Sequence, residues 1–354
     1  MKISRRQFVQ VLAVAGASAL LTACGGSSNN SAAGSTAASG AAAAAGGSFN
    51  LKLGHNLAED HAVHIQLTSF AEQVKEKTNG TVNIQIIPNG TLGSESDMIS
   101  QIQAGALDMA KVSASTLGNF SEKYNAFSVP YVFDDQAHYY TYMDSDSAQA
   151  VFESTDDQGF RGLTWLDSGA RSFYTKATAI RTPADLKGLK IRVQDMKSQT
   201  DMMNYLGGIP VAMSYGDVYT SLQTGIIDGT ENNETALTTG KHGEVCKVYS
   251  VDQHAMIPDV LIMSEKVWKQ ISPEDQEIIL EAAHNSTEAH KVMWDTAIEE
   301  AVKEAQETMG VEFVYDVDKE AFREATQPMI EAYEEQYPGV KTLMDTIEAA
   351  REGE

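Results

Sequence analysis

The sequence predicts an α/β protein built in two lobes. Strand and helix patterns alternate from Phe49 to Val112, and a second alternating set begins at Gly169. A single amphipathic run from Pro273 to about Met309 is too long for either set alone, at roughly 50 Å for ~1.5 Å per residue.

The elements follow in order. Phe49–Gly54 alternates as a strand, and His61–Thr78 carries Val63, Leu67, Phe70 and Val74 at helical spacing before Asn79-Gly80 stops it. Val82, Ile84 and Ile86 alternate as the next strand. A helix near Glu95–Ala104 runs into Gly105, and Leu107–Val112 reads as a third strand, an order that gives parallel pairing under covering helices. In the second set RSFYTK, LKIRV and GIIDG read as strands, and Thr182-Pro183-Ala184-Asp185 as a helix start with Thr capping and Pro first. Val260–Met263 returns to strand character, and Phe322–Glu352 reads as helices. No internal repeat is evident.

The N-terminus reads as an export signal. Ser4-Arg5-Arg6-Gln7-Phe8 looks like a twin-arginine motif, and the apolar run from Val9 to Leu21 is too short and too rich in small residues for a spanning helix. Leu21-Thr22-Ala23-Cys24 resembles a lipobox, which makes Cys24 the expected lipid-bearing N-terminus of the mature chain. Gly25–Gly47, almost entirely Gly, Ala, Ser, Asn and Thr, then forms a flexible tether with a reach of roughly 25–30 Å. The expected location is extracytoplasmic, held at a membrane by the lipid anchor only.

Removing Lys2, Arg5 and Arg6 from 26 basic residues leaves 23 against 49 acidic ones, a net charge of −26. Such a surface excludes nucleic acid and anionic lipid as partners. Inside a cleft, screening over about 8 Å leaves local cations in control. With Cys24 acylated, Cys246 stands alone and reads as a small buried residue. There is no GxGxxG, P-loop, HExxH or GxSxG, and no metal or cofactor is expected. His61 and His64, with Glu59 and Asp60 upstream, read as a solvated helix start rather than a metal clip.

The chemistry is concentrated between Gly169 and Asn233. Arg192 sits in an apolar strand pattern with Leu189, Ile191 and Val193, where an idle surface charge would not be placed. A guanidinium meets a carboxylate through two parallel hydrogen bonds and is cheaper to desolvate than an ammonium. The combination GARSFY, LKGLKIRVQ, YGDVYTSLQTGIIDGTENN and HAMIPDVLIMS resembles the solute-binding subunits of tripartite ATP-independent periplasmic (TRAP) transporters, the DctP family, from about Phe49 to Tyr337.

The resemblance implies a type II-like periplasmic-binding-protein fold, each lobe a mixed sheet flanked by helices, with the long helix spanning both. It divides the chain into a signal peptide (1–23), a lipid-anchored linker (24–48), a first lobe (49–168 with 257–296) and a second lobe (169–256 with 297–348). It implies that Arg192 is the principal carboxylate ligand, assisted by Arg171 and Asn232. Asn56, at the end of the first strand, also lines a place where open α/β sheets bind ligands. Tyr215 is expected to pack on the ligand and Glu95 to accept from ligand hydroxyls, with Ser113 and His254 as further candidates. RSFY and ENN resemble the branch that takes sugar acids, glucuronate and galacturonate foremost. The implied partners are an organic acid and the membrane permease subunits, and the chain is expected to be a monomer and not an enzyme. Other expectations carried alongside are a binder of C4-dicarboxylates, a sugar-acid hydrolase or lyase, and a ligand-sensing lipoprotein.

Overall fold

The computed structural model describes residues 48–352. The signal segment, Cys24 and the tether up to residue 47 lie outside the described residues.

Among the described residues, eleven strands form two sheets. In chain order they are β1 (Phe49–Gly54), β2 (Val82–Ile87), β3 (Met109–Ser113), β4 (Phe160–Leu166), β5 (Ala170–Thr175), β6 (Lys190–Val193), β7 (Ile209–Ala212), β8 (Gly229–Asn232), β9 (Val248–Met256), β10 (Asp259–Ser264) and β11 (Glu312–Val314). The first sheet runs β2-β1-β3-β10-β4 and the second β11-β9-β5-β8-β6-β7. Both are mixed. β1 pairs in parallel with β2 and β3, whereas β10 returns antiparallel between β3 and β4.

Local chemistry accounts for the elements. Leu51 and Leu53 are buried while Asn50 and Lys52 face out, the period-2 pattern of a half-covered strand. Every residue of β3 is buried, because that strand is covered on both faces. The helix Ala62–Lys77 buries Val63, Leu67, Phe70 and Val74 and ends where Asn79 and Gly80 adopt positive φ.

The chain moves from the first sheet to the second through Asp167–Gly169 and back through Ile257-Pro258. The third link is the helix Pro273–Glu307, started by Ser272 with Pro273 in its first turn. Its Ile279, Ala282 and Ala283 pack in the core under the first sheet, and its Ala305 packs with Tyr174, Leu222 and Tyr249 under the second. The long helix therefore joins both halves.

Three expectations need correction. GIIDG is not a strand: Gly225, at φ +79, caps the helix Val218–Thr224, Ile226 is 56% exposed, and the strand is Gly229–Asn232. The Thr182-Pro183 start opens only the short turn Pro183–Leu186. The C-terminal segment does not all follow the second lobe. Helix Lys319–Gln336 packs Phe322 and Met329 against Phe173 and Ile191, but helix Pro338–Ala349 places Val340 and Ile347 in the core beside Tyr124 and Phe127. An amphipathic stripe says that a helix covers a core without saying which one.

Candidate functional site

A cavity of about 350 Å³ lies between the strand ends of the two sheets. Asn56 follows β1, and Lys111 and Ser113 end β3; Arg192 lies in β6 and Asn232 closes β8. The antiparallel neighbours bring the starts of their strands to the same place, which positions Asp259 of β10 and Arg171 of β5. Of the expected site residues, Arg192, Arg171, Asn232, Asn56, Tyr215, Glu95 and Ser113 all line this cavity. His254 does not line it and lies buried behind it.

The two arginines are held differently. Arg171 is locked to Glu231: its Nε donates to Oε2 at 2.5 Å and its Nη2 to Oε1 at 2.9 Å. Nη2 also donates to the Glu231 carbonyl and Nη1 to Asn232 Oδ1, each at 3.0 Å. Four of those contacts occupy most of a guanidinium's five donors. Arg192 gives Nε and Nη2 to the Met213 carbonyl, at 3.1 and 3.0 Å, and makes no ion pair among the described residues. Its outer edge is left as an uncommitted fork facing the cavity. Burial, without a paired carboxylate, pulls the Arg192 guanidinium below its ordinary pKa, with Glu231 pulling the other way.

Asn232 Oδ1 accepts from Arg171 and from the Asn233 backbone N–H, and its Nδ2 makes no hydrogen bond among the described residues. Tyr215 follows β7 and its ring tilts on His242, with centroids 5.5 Å apart. Behind this wall the charges continue. His254 Nδ1 lies 2.7 Å from Asp252 Oδ2, and its Nε2 lies 3.5 Å from Glu231 Oε2. Burial lowers the His254 pKa, but Asp252 and Glu231 outweigh it and raise it to about 9. Burial pushes Glu231 up, and Arg171 with His254 more than reverses this, down to about 2.

The other wall centres on Glu95, the first residue of helix Glu95–Ala104. Ser94 and Asp97 close a capping box before it. Gly93 makes this possible: its φ is +104, and a Cβ there would meet Asp97 Oδ2 at 2.8 Å. Glu95 accepts from Thr116 Oγ1 at 2.8 Å, from Asn56 Nδ2 and the Ser113 N–H at 3.1 Å, and from Lys111 Nζ at 3.4 Å. Its two carboxylate oxygens are thus each engaged by two protein donors.

Lys111 is 2% exposed and also holds Asp259, Nζ to Oδ2 at 2.9 Å. Burial disfavours its charge, but Asp259 and Glu95 raise its pKa above the ordinary value and keep it protonated. Two amide oxygens at this site, Asn56 Oδ1 and Gln194 Oε1, are buried and accept no hydrogen bond among the described residues.

His61 departs from the solvated helix start expected of it. It is 5% exposed; Nδ1 accepts from the Val63 N–H, and Nε2 donates to Thr235 Oγ1 at 3.1 Å. Burial, then the Lys111 charge, lowers its pKa to about 3, which keeps it neutral. Lys111, Asp259, Gln194 and Glu231 were not picked out from the sequence. Lys111 carried the signal that singled out Arg192, a cation inside an apolar strand (Met109, Ala110, Val112), whereas Glu231 lies in a polar stretch with nothing to mark it.

The fold and site together define a two-lobed receptor with a cationic wall for a carboxylate. A family profile described as bacterial extracellular solute-binding protein, family 7 (DctP), matches residues 53–336. The chain is similar to the protein YiiZ of Salmonella typhimurium, 42% identical over 283 residues, 80% of this chain and 86% of that one. It is similar in structure to a TRAP periplasmic solute-binding protein of Anaerococcus prevotii with bound α/β-D-glucuronate, at TM-score 0.84 and 38% identity, covering 86% of this chain and 99% of that one. A TRAP periplasmic solute-binding protein of a Sulfitobacter species with bound β-D-galacturonate has TM-score 0.81 and 34% identity, covering 84% of this chain and 98% of that one. This chain belongs to the DctP family of extracellular solute-binding proteins, whose members capture ligands for TRAP transporters. Among the described residues no helix is long and apolar enough to cross a membrane.

Proposed function

We propose that this protein captures a hexuronate such as glucuronate or galacturonate outside the cytoplasm and hands it to the membrane subunits of a TRAP transporter. It does so as a monomer held to the membrane through a lipid on Cys24. The observation that carries the ligand class is the asymmetry of the cleft. One wall offers the open fork of Arg192 and the free Nδ2 of Asn232, which suits one carboxylate. The facing wall holds one cation, Lys111, against two carboxylates, Glu95 and Asp259, and adds the unfilled amide acceptor Asn56 Oδ1, while Gln194 Oε1 is unfilled on the arginine side.

A second carboxylate would meet net negative charge there, whereas hydroxyl groups would find acceptors. That disfavours a four-carbon dicarboxylate. The cavity, about 350 Å³, falls within the ~300–1,000 Å³ of small-molecule sites. The uronates bound by the Anaerococcus and Sulfitobacter relatives support the same class.

Thermal shift followed by calorimetry tests the assignment. Glucuronate or galacturonate raises the melting temperature more than succinate or malate at equal concentration. The reverse order overturns the uronate reading and leaves a dicarboxylate receptor.

A further inference from the structure

We propose that Gln194 is a specificity-determining residue that accepts a ligand hydroxyl while tying the two lobes together. This rests on the uronate reading above. Gln194 immediately follows β6, two residues after Arg192, and so belongs to the second sheet's wall. Its Nε2 donates to Ser113 Oγ at 3.1 Å, and Ser113 ends β3 of the first sheet. Its Oε1 is buried at the cavity and accepts nothing among the described residues. One amide thus has its donor engaged across the cleft and its acceptor unfilled.

A buried carbonyl oxygen without a partner is costly, and native proteins fill nearly all of them. Here the missing partner is an O–H. The carboxylate end of the ligand cannot supply it, because an ionised carboxylate only accepts. Asn56 Oδ1, on the opposite wall, is unfilled in the same way, with its Nδ2 already given to Glu95. Glu95 cannot substitute, since four protein donors occupy it. The polyhydroxylated part of a hexuronate supplies donors for both amide oxygens, and a hydroxyl-free acid supplies none.

The bond to Ser113 gives Gln194 its second role. That bond holds the Gln194 amide in place, so the acceptor is oriented only when the lobes are closed. A ligand hydroxyl on Oε1 therefore favours the closed arrangement through its better contact with that state. The arginine fork reads the carboxylate common to all organic acids, and Gln194 reads what distinguishes a sugar acid.

The test compares Gln194→Met, Ser113→Ala and wild type by calorimetry with glucuronate and galacturonate. Gln194→Met keeps the side chain's length and removes the amide. It weakens binding of the preferred uronate by roughly 10–100-fold, the range for losing a hydrogen bond at a polar ligand group. Ser113→Ala removes only the cross-cleft partner and weakens binding by less than about 5-fold, the low end of a single neutral hydrogen bond. Equal losses in the two variants overturn the ligand contact and leave Gln194 as a strut between lobes. Gln194→Met binding as wild type overturns the proposal altogether. Wild type binding neither uronate removes the functional reading itself, and this inference with it. If Gln194→Met melts well below wild type without ligand, Gln194→Ala replaces it in the same comparison.

Discussion

Glu231 holds Arg171 through both of its carboxylate oxygens, in a pair that is almost wholly buried. Arg192, in the same sheet, has a backbone carbonyl and no carboxylate. Two arginines that look alike in sequence are therefore held differently: Arg171 is paired with a buried carboxylate, and Arg192 makes no ion pair among the described residues. On the function proposed above, the counter-charge of Arg192 comes from the ligand carboxylate.

Arg192→Ala is expected to cost about 2–5 kcal/mol of affinity, mostly through faster dissociation, because it leaves the ligand carboxylate buried and unpaired. Arg192→Lys restores only part, since a point charge cannot reproduce the fork. Calorimetry and stopped-flow release measure both. Near-wild-type binding by the alanine variant removes Arg192 from the site.

Glu231→Gln is expected to lower stability by about 3–5 kcal/mol, because it leaves the Arg171 charge buried without its partner. The loss shows in urea melts without any ligand. The same substitution also removes one of the two acids flanking His254. A variant that melts as wild type would mean that Arg171 has another counter-charge.

Stability is expected to fall with rising pH in two windows. Burial raises the Glu234 carboxyl from its ordinary 4.5 to about 7, so the folded state binds that proton more tightly than the unfolded one. This contribution is complete below pH 4.5 and is lost as pH rises through 7. His254, raised from 6.5 to about 9, contributes fully below 6.5 and loses its contribution through 9. Each is on the order of 3 kcal/mol. Melts across pH 4–10 check this: Glu234→Gln flattens the lower window and His254→Gln the upper. An unchanged upper slope in the histidine variant refutes its assignment.

Ligand is expected to close the two lobes. Hydrogen bonds already join the two halves, among them His61 to Thr235, Gln194 to Ser113 and Asn119 Nδ2 to the Asp195 carbonyl at 3.1 Å. Among the described residues, Asp167–Gly169, Ile257-Pro258, the long helix and the joint at Tyr337 carry the chain between the two halves. Short links and one helix suit a hinge. Small-angle scattering should give a smaller radius of gyration with saturating uronate. An unchanged radius, with binding confirmed in the same sample, describes a rigid receptor.

The sequence by itself determined the α/β class, the long shared helix and a cleft arginine. Each leaves a local mark: alternation in β1, an amphipathic run of unusual length from Pro273, and a charge at Arg192 inside an apolar strand. It misplaced β8 because Ile226 and Ile227 look like strand residues, although Gly225 caps a helix there and turns Ile226 outward.

Tertiary structure alone decided the rest. The last helix packs in the first sheet's core, a choice that its apolar stripe alone did not specify. Arg171 met Glu231 because antiparallel pairing sets β5 beside β8, and Lys111 met Asp259 because β10 returns from far along the chain to lie against β3. Charge pairing depends on distance in space, and strand order, which no local pattern encodes, sets that distance.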